Sequence, residues 1–457
     1  MLIRKFTSWP RRGRIVVLVV AGALIVALAS SCAAVTVVPA AGAQAADWLR
    51  GIIGDEAVAQ LENVVYQIQD DVQQVAYAVG IGRPSSPWQG TPVAAGQDAA
   101  AQDAAAQDAA TQDAAAQDAA AQTAAETAAA PTDSTPLGPT DLPPTLSPLA
   151  SPTPGGAPTA TSDAAVTTTL ASTPTPVAQP TWSVQPLKPM GTLPEEGKWL
   201  GYLQNATGQV VAYRTFLQPD KHRPYAVVAI VAFNLSATRL HLVLGTLEPA
   251  SDVAIARPGT IPAEDLRAGK LLATFNGGFK VAHGHFGVMV NGTAVVPPRD
   301  GMATVAFYDD GHITLGEWDP AVLSSTHIIT WRQNGPLVIQ DGQINPHTAD
   351  TAPQDWGYTV PGGTAIWRSG IGISADGGTL YYIAGPSLTL PVLATAMQDA
   401  GMQQAMQLDI NNFWVHFDAI QGPGLQATPL LDKMNNKIGR YLLAYPRDFF
   451  YVTADGP

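Results

Sequence analysis

Residues 99–118 repeat Ala-Ala-Ala-Gln-Asp with a single Thr intrusion, and residues 131–180 are dominated by Pro, Thr, Ser and Ala. Neither stretch can bury a core. The repeat has helix propensity but no apolar stripe, and it places an acid at every fifth position. The second stretch favours extended, polyproline-type spacers. Any packed domain must therefore lie to either side. We expect an amphipathic helix over 47–82, a disordered low-complexity stalk over 83–190 and a globular domain over 191–451.

The first fourteen residues carry Arg4, Lys5, Arg11, Arg12 and Arg14 and no acid, directly before an apolar run over 15–38. That run exceeds the roughly 20 residues needed to span a bilayer and the ~7–15 of a cleavable signal's apolar region. It predicts a transmembrane signal anchor, with 1–14 cytoplasmic and the remainder outside the cytoplasm. Cleavage at Ala43-Gln44-Ala45 and lipid attachment at Cys32, within Ala29-Ser30-Ser31-Cys32, are the alternatives, and both also export the rest. Cys32 is the only cysteine, which excludes a disulfide framework and a thiolate zinc cluster. No cofactor is expected. With the five leader charges set aside, 19 basic residues face 37 acidic ones. Such a field disfavours nucleic acid as a partner.

From Asp47 to Val79 the residues Val58, Leu61, Val64, Val65, Ile68, Val72, Val75 and Val79 recur at steps of three and four, the stripe of an amphipathic helix. It suits self-association through 55–79 or packing on the main domain. Its polar face is acidic, which argues against lying on a membrane surface.

Beyond Gly191 short β-rich runs alternate with turns. Strands are expected at Val210 to Thr215, Tyr225 to Phe233, Leu240 to Leu247, Leu271 to Phe275, Thr364 to Trp367, Ile371 to Ser374, Ala405 to Leu408 and Tyr441 to Tyr445, among others. Asn291-Gly292, Asp310-Gly311, Asp341-Gly342 and Asp376-Gly377-Gly378 signal tight hairpins. One helix is expected after Thr260 and another from Leu390 to Ala400, stopped by Gly401. The pattern is an α+β class, a β-rich mixed sheet with a few packed helices.

Two strand ends carry ligand-binding chemistry. In LLATFNGGF an apolar strand runs into Asn276, Gly277 and Gly278, where glycines allow positive φ and close backbone approach and the amide offers a donor and an acceptor. In MQLDINN an acid and two amides, Asp409, Asn411 and Asn412, end another strand, either as a polar grip or as an Asx turn.

The ordered segments LLATFNGGFK, NGPLVIQDG, RSGIGISADGGTLYYI and SLTLPVLATAMQDAGMQQAMQLD resemble the phosphodiester glycosidase domain over about Leu271 to Phe417. This is the family of the lysosomal uncovering enzyme, which removes N-acetylglucosamine from a phosphodiester to expose mannose 6-phosphate. The resemblance implies a site containing Asn276, Gly277, Gly278, Arg368 and Asp409. Arg368 would hold the phosphate and Asp409 would act as base or nucleophile at an oxocarbenium-like centre. Family members usually continue the last strand as Asp followed by glycines and serines. Here Ile410, Asn411, Asn412, Phe413 and Trp414 follow Asp409, and asparagines tolerate left-handed backbone.

His416 joins Asn411 and Asn412 as a candidate substrate contact. His283, His285 and Lys280 follow the NGG turn, and Trp331, Trp356, Trp367 and Trp414 offer aromatic faces; structural roles are the commoner fate of each type. The expected function is hydrolysis of sugar-phosphodiester linkages in surface or extracellular glycans by a membrane-anchored protein. A non-catalytic carbohydrate-binding or envelope-structural protein is the alternative.

Overall fold

The computed structural model describes residues 52, 55–88, 182–320, 327–350, 356–357, 362–434 and 437–455. The basic leader, the apolar run 15–38 and the low-complexity stretch 89–181 lie outside the described residues. Among the described residues no helix is long and apolar enough to cross a membrane.

Three sheets build the domain. The largest runs, edge to edge, β1 (Leu200–Gln204), β2 (Val210–Leu217), β3 (Val228–Asn234), β14 (Thr379–Leu388), β13 (Ile366–Ile373), β15 (Gln404–Ile410), β11 (Leu337–Gln340) and β12 (Gln343–Ile344). A second orders β17 (Gln426–Pro429), β16 (Phe417–Gln421), β5 (Leu271–Asn276), β18 (Phe449–Ala454) and β4 (Thr238–Val243). The third orders β7 (Thr293–Val296), β6 (Val288–Val290), β10 (Ile328–Gln333), β8 (Ala303–Tyr308) and β9 (Ile313–Glu317). The ladders of the described strands are antiparallel, not mixed as expected, because even the sequence-distant neighbours β14 with β3 and β13 with β15 run in opposite directions.

The central strand β3 is buried along its whole length, which its unbroken apolar sequence requires of a strand covered on both faces. One face, with Val231 and Phe233, meets Phe275, Phe417 and Phe450 of the second sheet. The other, with Ile230 and Ala232, meets Leu393 and Met397 of helix α2 (Leu390–Asp399). Thr389 caps α2 by accepting from the Val392 N–H, and Pro391 sits in the first turn, where a missing N–H costs nothing.

Three expectations change. The chain after Thr260 makes tight turns, not a helix: Asp265 and Leu266 N–H bond back to Pro262 O, and Gly269 at φ 74° turns the chain into β5 at Leu271. Tyr441 lies in a short 3-10 turn, Arg440–Leu442, not a strand, and its ring stacks on Phe449 at 4.6 Å. The closing strand is instead β18, which lies between β5 and β4. The two short strands expected around Gly370 are one, β13, because its pairing with β14 runs unbroken from Arg368 through Gly370 and Gly372 to Ile373.

The ends of the expected stalk pack on the domain. Trp88 donates to Leu430 O at 3.1 Å and lies against Phe216, and Trp182 donates to Thr379 Oγ1 at 3.1 Å. Helix α1 (Asp55–Ala78) docks through its polar edge. Asp70 accepts from Arg223 Nε at 2.8 Å, Arg223 NH2 at 2.6 Å and Tyr225 OH at 2.9 Å. Burial opposes its ionisation, but these donors hold its carboxyl below the ordinary range. We expect Asp70→Ala to weaken this docking by about 1.5–3 kcal/mol, the worth of hydrogen bonds to a charged group. Hydrogen exchange would rise across residues 55–78 and stay unchanged in β3 and β14.

Candidate functional site

β5 ends at Asn276, and its following turn is the place where the three sheets meet. Asn276 is buried, with its Nδ2 donating to Ser369 Oγ at 3.0 Å and its Oδ1 accepting from Tyr382 OH and the His416 N–H, both at 3.1 Å. Every link that follows is to backbone. Gly277 O accepts from the Asp409 N–H at 3.1 Å, and the Gly278 N–H donates to Asp448 Oδ2 at 3.3 Å. Gly278 O accepts from Arg447 NH2 at 2.9 Å. Phe279 donates its N–H to Asn334 Oδ1 at 3.1 Å and accepts from Arg332 NH2 at 2.8 Å.

The glycines are sterically required here. A Cβ on Gly277 would lie 2.5 Å from Asp448 O, and one on Gly278 would lie 2.8 Å from Arg332 NH2. Both distances are shorter than a carbon can hold against those atoms.

Around this turn stand two acid and arginine pairs. Arg332 Nε meets Asp448 Oδ2 at 2.9 Å, with both side chains about 1% exposed. Arg447 NH2 meets Asp409 Oδ2 at 2.6 Å, with 7% and 8% exposure. Asp409 Oδ1 also accepts from the Ile410 N–H at 2.9 Å. Burial pushes the Asp409 carboxyl up to about 6, against the opposing pull of Arg447, with Asp448 adding repulsion. Burial also works against the charge of Arg447, but Asp409 and Asp448 keep its pKa above the ordinary value.

An aromatic wall borders the second pair. The Arg447 guanidinium lies 4.3 Å from the Trp414 ring centroid and Lys280 Nζ lies 5.6 Å from the same ring. Asn411 shapes the approach. It takes φ 69°, and its Oδ1 accepts from the Phe413 and Trp414 N–H groups at 3.0 and 3.3 Å. The turn is therefore an Asx turn that supplies the left-handed residue a glycine would have supplied. Asn412 is exposed beside it.

The structure brings Asn276, Gly277, Gly278 and Asp409 together through Ser369, whose Oγ donates to Asp409 O at 2.8 Å. It does not bring Arg368 to them. Successive strand residues face opposite sides, and Ser369 faces Asn276. Arg368 thus points to the α2 side, donating to Leu388 O at 2.9 Å, Gln407 Oε1 at 2.7 Å, and Gly362 O and Thr364 O at 3.2 and 3.1 Å. Burial alone lowers its pKa to about 9. The cation beside Asp409 is Arg447. His416 is also sealed away, its Nε2 2.9 Å from Asp418 Oδ2, both side chains fully buried, and burial followed by the Arg440 charge lowers its pKa. Of the tryptophans, Trp331 packs on Trp318 and Trp356 donates to His347 O, so Trp414 is the aromatic face beside Asp409 and Arg447.

Sequence reasoning missed Arg332, Asn334, Arg447 and Asp448. One signal was available: Arg447-Asp448 is an opposite-charge pair placed immediately before the apolar strand FFYV. Among the described residues no group of three or more His, Cys, Asp or Glu could hold a metal.

Residues 269–409 match the phosphodiester glycosidase family model, so Arg447 and Asp448 lie beyond the matched segment. Among solved structures, the chain is similar to the catalytic domain of zebrafish N-acetylglucosamine-1-phosphodiester alpha-N-acetylglucosaminidase, auto-inhibited by its pro-peptide. Identity is 13% and the TM-score 0.34, over 57% of this chain and 88% of that one. A hypothetical protein from Synechocystis is similar at 12% identity and a TM-score of 0.31, over 56% and 62%. A protein from Burkholderia pseudomallei is similar at 11% and 0.33, over 50% and 74%. No curated protein sequence matches this chain.

Replacing Asp448 by Asn leaves Arg332 as a buried, poorly compensated charge, so we expect a loss of about 3–5 kcal/mol in chemical denaturation. Asp409 gives a pH signature. Its folded pKa lies above the unfolded value, so its protonated folded form is the stabilised one. Its contribution is fully present below pH about 4 and is lost as pH rises to about 6. Asp409→Asn should flatten that part of the stability profile.

Proposed function

We propose, from the phosphodiester glycosidase match over residues 269–409, that this chain hydrolyses sugar-1-phosphodiester linkages in surface or extracellular glycans. The observation that carries the reading is the Asp409 carboxyl, raised to about 6 by burial and held 2.6 Å from Arg447 beside Trp414. Hydrolysis at the anomeric carbon expels a phosphate monoester and needs a water-derived oxygen there. Ionised Asp409 either takes the proton from water or attacks the anomeric carbon itself. Arg447 and Lys280 supply positive charge for the departing phosphate, the task the family likeness had given to Arg368. The Trp414 ring offers an apolar face to a sugar.

The setting is part of the proposal. The basic flank followed by the apolar run 15–38 supports a membrane anchor, with residues 99–180 as a stalk and the domain outside the cytoplasm. A carbohydrate-binding protein without turnover is the second reading. Phe413 and Trp414, standing where the family has small residues, favour it.

The test is release of free sugar from a sugar-1-phosphodiester by the full-length protein in detergent. Turnover in the wild type should fall about 100-fold or more in Asp409→Asn. Activity should rise with pH through about 6, as the carboxyl ionises. In Arg447→Met the loss of the neighbouring positive charge raises the Asp409 pKa, so the acid limb should move to higher pH. Sugar binding with no release by the wild type at any pH would leave the second reading in place.

A further inference from the structure

Helix α1 (Asp55–Ala78) meets the domain through one edge, with Val58 buried and Val65 half-buried, and turns the rest of its apolar seam, Leu61 and Ile68 to Val79, the other way. Besides Asp70, Gln73 Oε1 accepts from Ser387 Oγ at 2.7 Å, and the Tyr77 ring packs on Tyr225 at 5.7 Å. Tyr66 lies against the cluster containing Phe279 and Ile410. On the opposite side Leu61, Ile68, Val72, Val75 and Val79 are between 40% and 67% exposed. A lone helix does not leave such a stripe in water without a partner.

The spacing identifies the partner. From Leu61 the seam advances 61, 65, 68, 72, 75, 79, in strictly alternating steps of four and three. This is a 3.5-residue period, the repeat of a two-helix coiled coil rather than of a helix lying on a globular core. Val65, Val72 and Val79 take the a positions, and Leu61, Ile68 and Val75 take the d positions. Valine at every a with Leu61 at d is the two-stranded pattern, Ile68 and Val75 at the other d positions also admit a third strand, and the mass of the particle decides between them. The docked edge, with Asp70 and Tyr77, falls at f, on the far side of the helix from the seam, so pairing leaves the contacts with the domain intact.

Charge sets the direction. In a parallel pair, each g residue meets the e residue five places on in the partner. Those pairs are Val64 with Gln69 and Asp71 with Ala76, and none opposes like charges. Antiparallel pairing in the register that aligns the seam sets Asp71 against its own copy. We propose that the outward seam of α1 pairs in parallel with the same seam of a second copy of this chain, making the protein a dimer through residues 61–79.

Cross-linking in the full-length protein, with Cys32→Ser as background, tests this directly. Val72→Cys places thiols face to face at an a layer, and Gln67→Cys, at an exposed c position of the same helix, does not. Copper-phenanthroline oxidation should convert most of the Val72→Cys protein to a covalent dimer and little of the Gln67→Cys protein. Equal yields from the two variants, or no dimer from either, would overturn the proposal. A second measurement avoids thiols. Ile68→Glu and Val72→Glu change exposed side chains, so the domain should stay folded by circular dichroism while the light-scattering mass halves. A wild-type mass of one chain or of three would sink the two-stranded pairing. So would loss of dimer in the glutamate variants without any Val72→Cys cross-link, which would point to an antiparallel arrangement.

Discussion

The backbone of Asn276 to Phe279 is held by groups from three other strand ends, two giving side chains and one a backbone N–H, and the site around it depends on that grip. Asp448 and Arg447 arrive just before β18, Arg332 and Asn334 arrive at the end of β10, and Asp409 supplies its own N–H from β15. Each of these groups is buried and polar, so each needs a partner within reach. The turn provides successive N–H and C=O groups with no side chain in the way. Two glycines satisfy that geometry, and a Cβ at either position collides with Asp448 or Arg332.

The same turn distributes charge. Two acids and two arginines surround four residues of backbone, and both acids would repel if left alone. Pairing Asp448 with Arg332, deep in the protein, fixes one charge where solvent cannot reach it. The second pair, Asp409 with Arg447, sits at the edge beside Trp414. Burial costs Asp409 more than Arg447 returns, which is why its pKa stands above the ordinary carboxylate value despite an arginine at 2.6 Å. A carboxyl poised in this way ionises near neutral pH, the range in which a general base is most effective.

Much of the fold was legible because its signals are local. The four glycine turns fall where expected, with Asn291, Gly292, Asp341 and Gly342 all at positive φ, and the apolar run of β3 reads directly as a strand buried on both faces. What escaped was non-local. Nothing near Arg368 in the sequence tells which face of β13 it takes; that is set by the pairing of β13 with β15 and by Ser369 facing Asn276. The same holds for β18. It closes the domain from the far end of the chain, carrying Arg447 and Asp448 to a turn about 170 residues earlier, as their contacts with Gly278 show. Asp409 and the NGG turn were readable because each ends a strong strand, whereas their cationic partner became visible only once the sheets had closed.

The residues after Asp409 keep a turn that glycine could also have made and add side chains that glycine could not. Asn411 holds the left-handed turn at φ 69° and bonds the next two N–H groups itself, so the chain keeps its course without glycine. What glycine could not supply are the side chains that follow. Trp414 reaches back to Arg447 at 4.3 Å and to Lys280 at 5.6 Å, so one ring gathers two cations. A turn of small residues would let a ligand approach the backbone and would take the ring away from Arg447, whose guanidinium also meets Asp409 and Gly278 O. With Trp414 in place, the guanidinium is held by a ring as well as by Asp409 and Gly278 O, and Phe413 packs edge-on against the same indole at 4.5 Å. The turn after Asp409 therefore places an aromatic wall beside fixed positive charge at the edge where the Asp409 carboxyl sits.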